Sequence, residues 1–197
     1  MFFKPITRIV LLLFVCVAVS ACSTSPPARL YALKPLATAA PVRAPAPAPR
    51  LIGIGPVDIP YYLDRNQIVT RQAGNRYDLS ETDQWAEPIG DNVAGVVARN
   101  LSILVPESHP VVKPWVDAPV FRQVAIKIAQ FDADANGEVK LIASWAVIDP
   151  RNRRFLVVRK SQIRVVTAAG LENVLDGMSR ALEQLSEAIA AALRQDW

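Results

Sequence analysis

Residues 124–166 constrain the fold more tightly than any other stretch of this sequence. Val124, Ile126 and Ile128 alternate with Ala125, Lys127 and Ala129. Val139, Leu141, Ala143, Trp145 and Val147 alternate in turn with Lys140, Ile142, Ser144, Ala146 and Ile148. A side-chain period of two places one set on a buried face and the other on the opposite face of a strand. Phe155–Val166 reads as a third long strand. Asp134-Ala135-Asn136-Gly137 and Asp149-Pro150-Arg151-Asn152 have turn composition and separate the three segments. Strands joined by turns this short must run antiparallel, so the region predicts a three-stranded meander.

Two segments carry the helical period instead. Ile89, Val93, Val96, Val97, Leu101 and Leu104 recur every three or four residues, with Pro88 suited to a first turn and Pro106 closing the run. From about Leu171 to Leu193, the residues Leu171, Val174, Leu175, Met178, Leu182, Leu185, Ile189 and Ala192 form one apolar stripe. An antiparallel sheet plus two amphipathic helices predicts an α+β two-layer sandwich, with a mainly antiparallel sheet and both helices packed on one face.

The remaining elements are shorter. Leu51–Ile59 is rich in β-branched residues but interrupted by Gly53, Gly55 and Pro56, which predicts a strand with a bend or bulge. Pro60 can open a turn of helix through Tyr61-Tyr62-Leu63. Gln67–Thr70 and Arg76–Leu79 read as short strands around Ala73-Gly74-Asn75, and His109 falls in a loop between Ser108 and Pro110. Residues 34–50 form a Pro/Ala stretch, with Pro41, Pro45, Pro47 and Pro49, suited to solvated polyproline II.

The first 21 residues have the composition of a secretory leader. Lys4 and Arg8 precede the apolar run Ile9–Val19, which falls well short of the ~20 residues a membrane-spanning helix needs. The run ends in Val19-Ser20-Ala21-Cys22, small residues before a cysteine, as a lipoprotein signal peptidase requires. Residues 1–21 are therefore expected to be removed and Cys22 to carry acyl chains such as palmitate. An ordinary cleavage near Ala21 with Cys22 incidental is the plainer alternative. Residues 22–28 would form a lipidated N-terminus and short tether, and residues 29–197 a single domain. Ser23 rather than Asp after the cysteine favours sorting to the outer membrane, with the domain facing the periplasm. Cys16 would leave with the leader, so no disulfide is expected.

Composition narrows the chemistry. With 51% hydrophobic and 20% charged residues, the chain can bury a core. The net charge is +4, and the leader's Lys4 and Arg8 supply half of it, too little to suggest nucleic-acid binding. Gly53-Ile54-Gly55 lacks the third glycine of a dinucleotide site, and Pro56 blocks the helix that would follow. Asp132, Asp134, Asn136 and Gly137 suggest a calcium loop only faintly, since Ser144 stands where a ligating glutamate is needed. Asp83 and Glu87 flank Trp85 with nothing to pair them as acid and base. No catalytic residue, cofactor or metal site is expected. Arg151, Arg153 and Arg154, followed by Arg159, Lys160 and Arg164, form a basic patch. It suits phospholipid head groups or an acidic partner, or else a solvated hairpin and a guarded strand edge.

Several motifs together resemble one family. They are Tyr31-x-Leu33; Ile52-Gly53-Ile54-Gly55-Pro56-Val57-x-Ile59-Pro60; Tyr62-Leu63-Asp64-Arg65-x-Gln67-Ile68-Val69-Thr70-Arg71; Trp85-Ala86-Glu87-Pro88-Ile89; Asn100-Leu101; and Leu185-Ser186-x-x-Ile189-Ala190. The chain resembles the PqiC-like auxiliary lipoproteins of ABC-type transport systems over nearly all of its mature length. Asn66 stands where that family pattern has proline.

The resemblance implies a non-catalytic outer-membrane lipoprotein. Its partner would be an MCE-domain periplasmic subunit of a transporter that moves lipids between the two membranes and supports envelope integrity. It also implies that Tyr31-x-Leu33 forms a sheet strand, making the Pro/Ala stretch a loop within the domain. Self-association is left open. A structural envelope lipoprotein that binds peptidoglycan or an assembly machine is the alternative. Tyr62, Arg65, Arg71 and Trp85 are the candidate partner-binding residues, being types that dominate interface energetics. The competing reading has Tyr62 and Trp85 plugging the core while Arg65 or Arg71 pairs with Asp64 or Glu87.

Overall fold

The computed structural model describes residues 26–37, 50–115 and 119–195. The leader, Cys22, Ser23 and most of the Pro/Ala stretch lie outside the described residues. Eight strands and two helices follow in the order β1 (Arg29–Tyr31), β2 (Arg50–Asp58), β3 (Gln67–Arg71), β4 (Tyr77–Trp85), α1 (Ile89–Leu104), β5 (Ser108–Val112), β6 (Arg122–Asp134), β7 (Glu138–Asp149), β8 (Arg154–Val166) and α2 (Leu171–Gln195). No helix among these residues is long and apolar enough to cross a membrane.

The fold is the expected α+β sandwich. β6, β7 and β8 form the antiparallel meander, with Ile126 opposite Trp145 and Leu141 opposite Ile163. The alternating residues Val124, Ile126, Ile128, Val139, Leu141, Ala143, Trp145 and Val147 are all buried. They face α1 and α2, whose stripes Val93, Val96, Val97, Leu101 and Leu182, Leu185, Ile189, Leu193 complete one core. Side chains buried this fully contribute about 1.5–3 kcal/mol each. Helix α2 lies close over the sheet at Gly177, where an added Cβ would fall 2.4 Å from Thr167 and 3.1 Å from Val139.

β6 is the hub of the sheet. One side of it pairs with β7 over nearly its whole length. The other side pairs in parallel with β2 along its first half and with β3 at its end, where Arg71 lies opposite Asp134. β1 with β4 and β2 with β5 are also parallel. The shift in β2 comes between Ile54 and Val57, as its Gly and Pro content predicts. Gly53 is required there because the Trp115 ring lies 3.0 Å from where its Cβ would stand.

An extended strap continues from β1 into the groove between the helices. Its backbone is held by side chains: Leu33 N–H donates to Asn92 Oδ1 at 2.9 Å, Lys34 N–H to Ser179 Oγ at 3.0 Å, and Leu36 N–H to Asn100 Oδ1 at 2.7 Å. Leu33 itself is buried. The strap is a built part of the domain.

Two short-range expectations need correction. His109 lies in strand β5, opposite Leu51, and not in a loop. Pro110 is tolerated because β5 is an edge strand, where a missing N–H costs no ladder bond. β4 runs on to Trp85, well past Leu79, because β1 and β3 pair with its polar second half.

Candidate functional site

The turn after β2 and the β3–β4 hairpin meet at the end of β6. Leu63 N–H donates to the Pro60 carbonyl at 2.9 Å and Asp64 N–H to that of Tyr61 at 3.3 Å, giving a tight turn after β2. The turn sends Tyr62 inward. Its hydroxyl donates to Asp132 Oδ2 at 2.6 Å. Arg71 Nη2, delivered by β3, donates to both Asp132 oxygens at 2.8 and 3.0 Å, and Gln130 Nε2 donates to Oδ1 at 3.0 Å. The Tyr62 and Tyr77 rings stack with centroids 4.7 Å apart, and the Arg71 guanidinium lies 5.6 Å from the Tyr77 ring centroid.

The Asp132 side chain is 1% exposed, so its charge is affordable only beside Arg71 and its hydrogen-bond donors. Burial, and then the hydrogen bond to Asp132, push the Tyr62 hydroxyl well above its ordinary value, so it remains a donor at any physiological pH. Burial lowers the Arg71 guanidinium, but the hydrogen bond and charge of Asp132 outweigh it and leave Arg71 raised. The assembly is a clamp. Asp132 spends its oxygens on Tyr62, Arg71 and Gln130, and Asp134 Oδ1 accepts from the Asn136 and Glu138 N–H groups in a β-turn.

The four candidate partner-binding residues do not form one exposed surface. Trp85 is 7% exposed and belongs to the core, opposite Tyr31 of β1. Tyr62 and Arg71 hold Asp132 rather than facing outward, and Arg71 pairs with neither Asp64 nor Glu87. Arg65 is half-buried in the turn, and its Nε has no hydrogen-bond partner. Asp83 binds Arg29 at 2.7 Å, and Glu87 accepts from Asn92 at 2.6 Å, so the two acids flanking Trp85 serve structure.

The aromatic side chain that is presented is Tyr61, 88% exposed. Its neighbour Tyr62 is anchored, and consecutive residues of a tight turn cannot both point inward. That constraint says one tyrosine of the pair faces out, and the contact with Asp132 decides that it is Tyr61. A groove of about 430 Å³ runs beside this turn, lined by Pro56, Ile59, Asp64, Pro88, Asp91 and Lys113 among others. Among the described residues, no group of three His, Cys, Asp or Glu side chains is placed to hold a metal ion.

The basic patch is elsewhere. The β7–β8 hairpin sits at the start of β6, nine residues along that strand from Asp132 and so roughly 30 Å away. Arg151 is committed locally, with contacts of 3.0–3.1 Å to both Asp149 oxygens. Arg153, with φ 57°, occupies the turn, and Arg153 and Arg154 are exposed.

Comparison with known proteins supplies the context. The sequence pattern of the ABC-type transport auxiliary lipoprotein component family matches residues 31–190. No curated protein matches the chain. A crystal structure of an uncharacterised protein aligns with a TM-score of 0.70 at 17% identity, covering 85% of this chain and 99% of that one. A crystal structure of a Xanthomonas campestris protein aligns with a TM-score of 0.64, also at 17% identity, covering 85% and 98%. At this identity the two structures show a shared fold.

Proposed function

Because this chain belongs to the family of ABC-type transport auxiliary lipoprotein components, we propose that it is a non-catalytic docking subunit of an MCE-type transport system. In this reading Cys22 carries the acyl chains, and Ser23 directs the protein to the inner leaflet of the outer membrane. The domain projects into the periplasm and meets the MCE-domain subunit as lipids pass between the two membranes.

The observation that carries the docking role is the turn bearing Tyr61 and Arg65. Tyr61 is displayed almost entirely to solvent, while the residue beside it is locked to Asp132 at 2.6 Å. An exposed aromatic on a rigid mount loses little conformational freedom on binding, which favours affinity. The adjoining groove between Pro56, Pro88 and Lys113 gives such a partner a concave surface.

Photo-crosslinking from position 61 in intact envelopes tests this. An MCE-domain subunit should be captured, and capture should fail when Cys22→Ser prevents anchoring. Crosslinks confined to peptidoglycan or to an outer-membrane assembly machine would replace this reading with the structural one.

A further inference from the structure

Among the described residues, strand β8, Arg154–Val166, is 13 residues long and pairs only with β7, and no other described strand covers its second edge. It contains no proline and is far longer than an edge strand that a protein keeps short to avoid pairing. It lies on the opposite side of β6 from β1, across β4, β3, β6 and β7, or roughly 24 Å at 4.8 Å per strand. An anchor entering through β1 therefore leaves β8 on the far side of the domain.

The chemistry of this edge is specific. Val158, opposite Ala146, and Lys160, opposite Ser144, lie on the sheet face away from the helices. Phe155 and Val158 are 64% and 62% exposed. Beside Val158, a shallow groove of about 170 Å³ runs over Pro56, Ala125 and Ala146. Arg159 lies on the helix-side face, opposite Trp145. Arg164 has only a long 3.9 Å contact with Glu138, and Arg159 and Lys160 make no ion pair with any described residue.

We infer that β8 is a docking edge that accepts an acidic, extended segment of another protein as an additional strand. Main-chain hydrogen bonds would supply affinity, and alternate side chains would supply selectivity. Carboxylates at alternate positions would meet Lys160 and Arg164, while an apolar residue would enter the groove at Val158. A second copy of this chain fits poorly. Full-length antiparallel pairing of two β8 strands sets Lys160 against its own copy, and like charges directly opposite are destabilising. A membrane surface fits less well too, because it would meet one face of the sheet while Arg159 and Lys160 lie on opposite faces. The inference does not depend on which transport system the chain serves.

The test titrates the mature chain with a synthetic peptide of about twelve residues whose one face carries Val to meet Val158 and Glu to meet Lys160 and Arg164, with Thr at the intervening positions, and with its Lys-for-Glu counterpart. Hydrogen exchange is followed across residues 154–166. The acidic peptide should bind and protect β8, and a variant carrying Arg159→Glu and Lys160→Glu, both exposed positions, should bind about ten-fold more weakly with an unchanged Tm. Absence of binding, equal binding of the Lys peptide, or undiminished binding by the variant would overturn the inference and leave the charges as guards of the edge. Protection of β8 by phosphatidylglycerol vesicles but not by the peptide, or by self-association alone, would overturn it equally.

Discussion

Asn100 of α1 donates through Nδ2 to Ser186 Oγ of α2 at 3.1 Å, and both residues are fully buried. Asn100 Oδ1 accepts the Leu36 N–H, and the Ser186 hydroxyl donates to the Leu182 carbonyl at 2.7 Å. One side chain therefore joins both helices to the strap. Asn100→Ala would strand the Leu36 donor and leave a small cavity. It should cost about 1–3 kcal/mol, measured as a lower midpoint of urea unfolding.

The strap makes a larger prediction. A chain beginning at Arg50 lacks β1, Leu33 and the hydrogen bonds to Asn92, Ser179 and Asn100. It should melt well below the mature protein, whereas shortening the segment 38–49 by about half should change stability little, because closure cost varies slowly with the length of a flexible loop. Calorimetry on the two deletions separates a strap that belongs to the domain from a dispensable tether.

Arg71→Ala removes the only cation on the buried Asp132 carboxylate among the described residues. If Arg71 served only a partner, the substitution would leave stability nearly unchanged. The structure predicts a loss on the order of 2–3 kcal/mol, moderated by the partial exposure of Arg71. Asp132→Asn combined with Arg71→Ala should recover part of that loss in a double-mutant cycle, because the stranded charge is gone.

Acid sensitivity follows from two other carboxylates. The side-chain hydrogen bond from Arg151 holds Asp149 below the ordinary value of 3.8. Burial pushes Asp83 up, but hydrogen bonds from Arg29 and Ser80 outweigh it and leave Asp83 lowered too. A depressed folded-state value means stability that is present above the unfolded value and lost as pH falls through the folded one. Unfolding midpoints should therefore drop as pH falls below about 4. In Asp149→Asn that drop should be smaller.

Much of the fold was legible because its signals are local. The period of α1 runs from Ile89 to Leu104 in sequence and structure alike, and the meander follows from alternation plus two turns. What was not legible depends on distant partners. Trp85 looks like an interface residue by type, and its burial depends on pairing with β1, over fifty residues earlier. Arg71 reads as a surface cation until β3 is placed parallel to the end of β6, where Asp132 waits. Parallel pairings such as β2 with β6 leave no turn signature. Tyr61 was passed over because only the fold shows which of two adjacent tyrosines faces out.

The docking role is tested most directly by titrating the purified mature chain with the purified periplasmic MCE-domain subunit of its envelope's ABC-type transporter. The wild-type chain should bind. The Tyr61→Ala, Arg65→Ala double variant should bind about ten-fold or more weakly while its Tm stays close to wild type, because hot-spot truncations cost 2 kcal/mol or more. No binding by the wild-type chain, or full-strength binding by a stably folded double variant, would contradict the account.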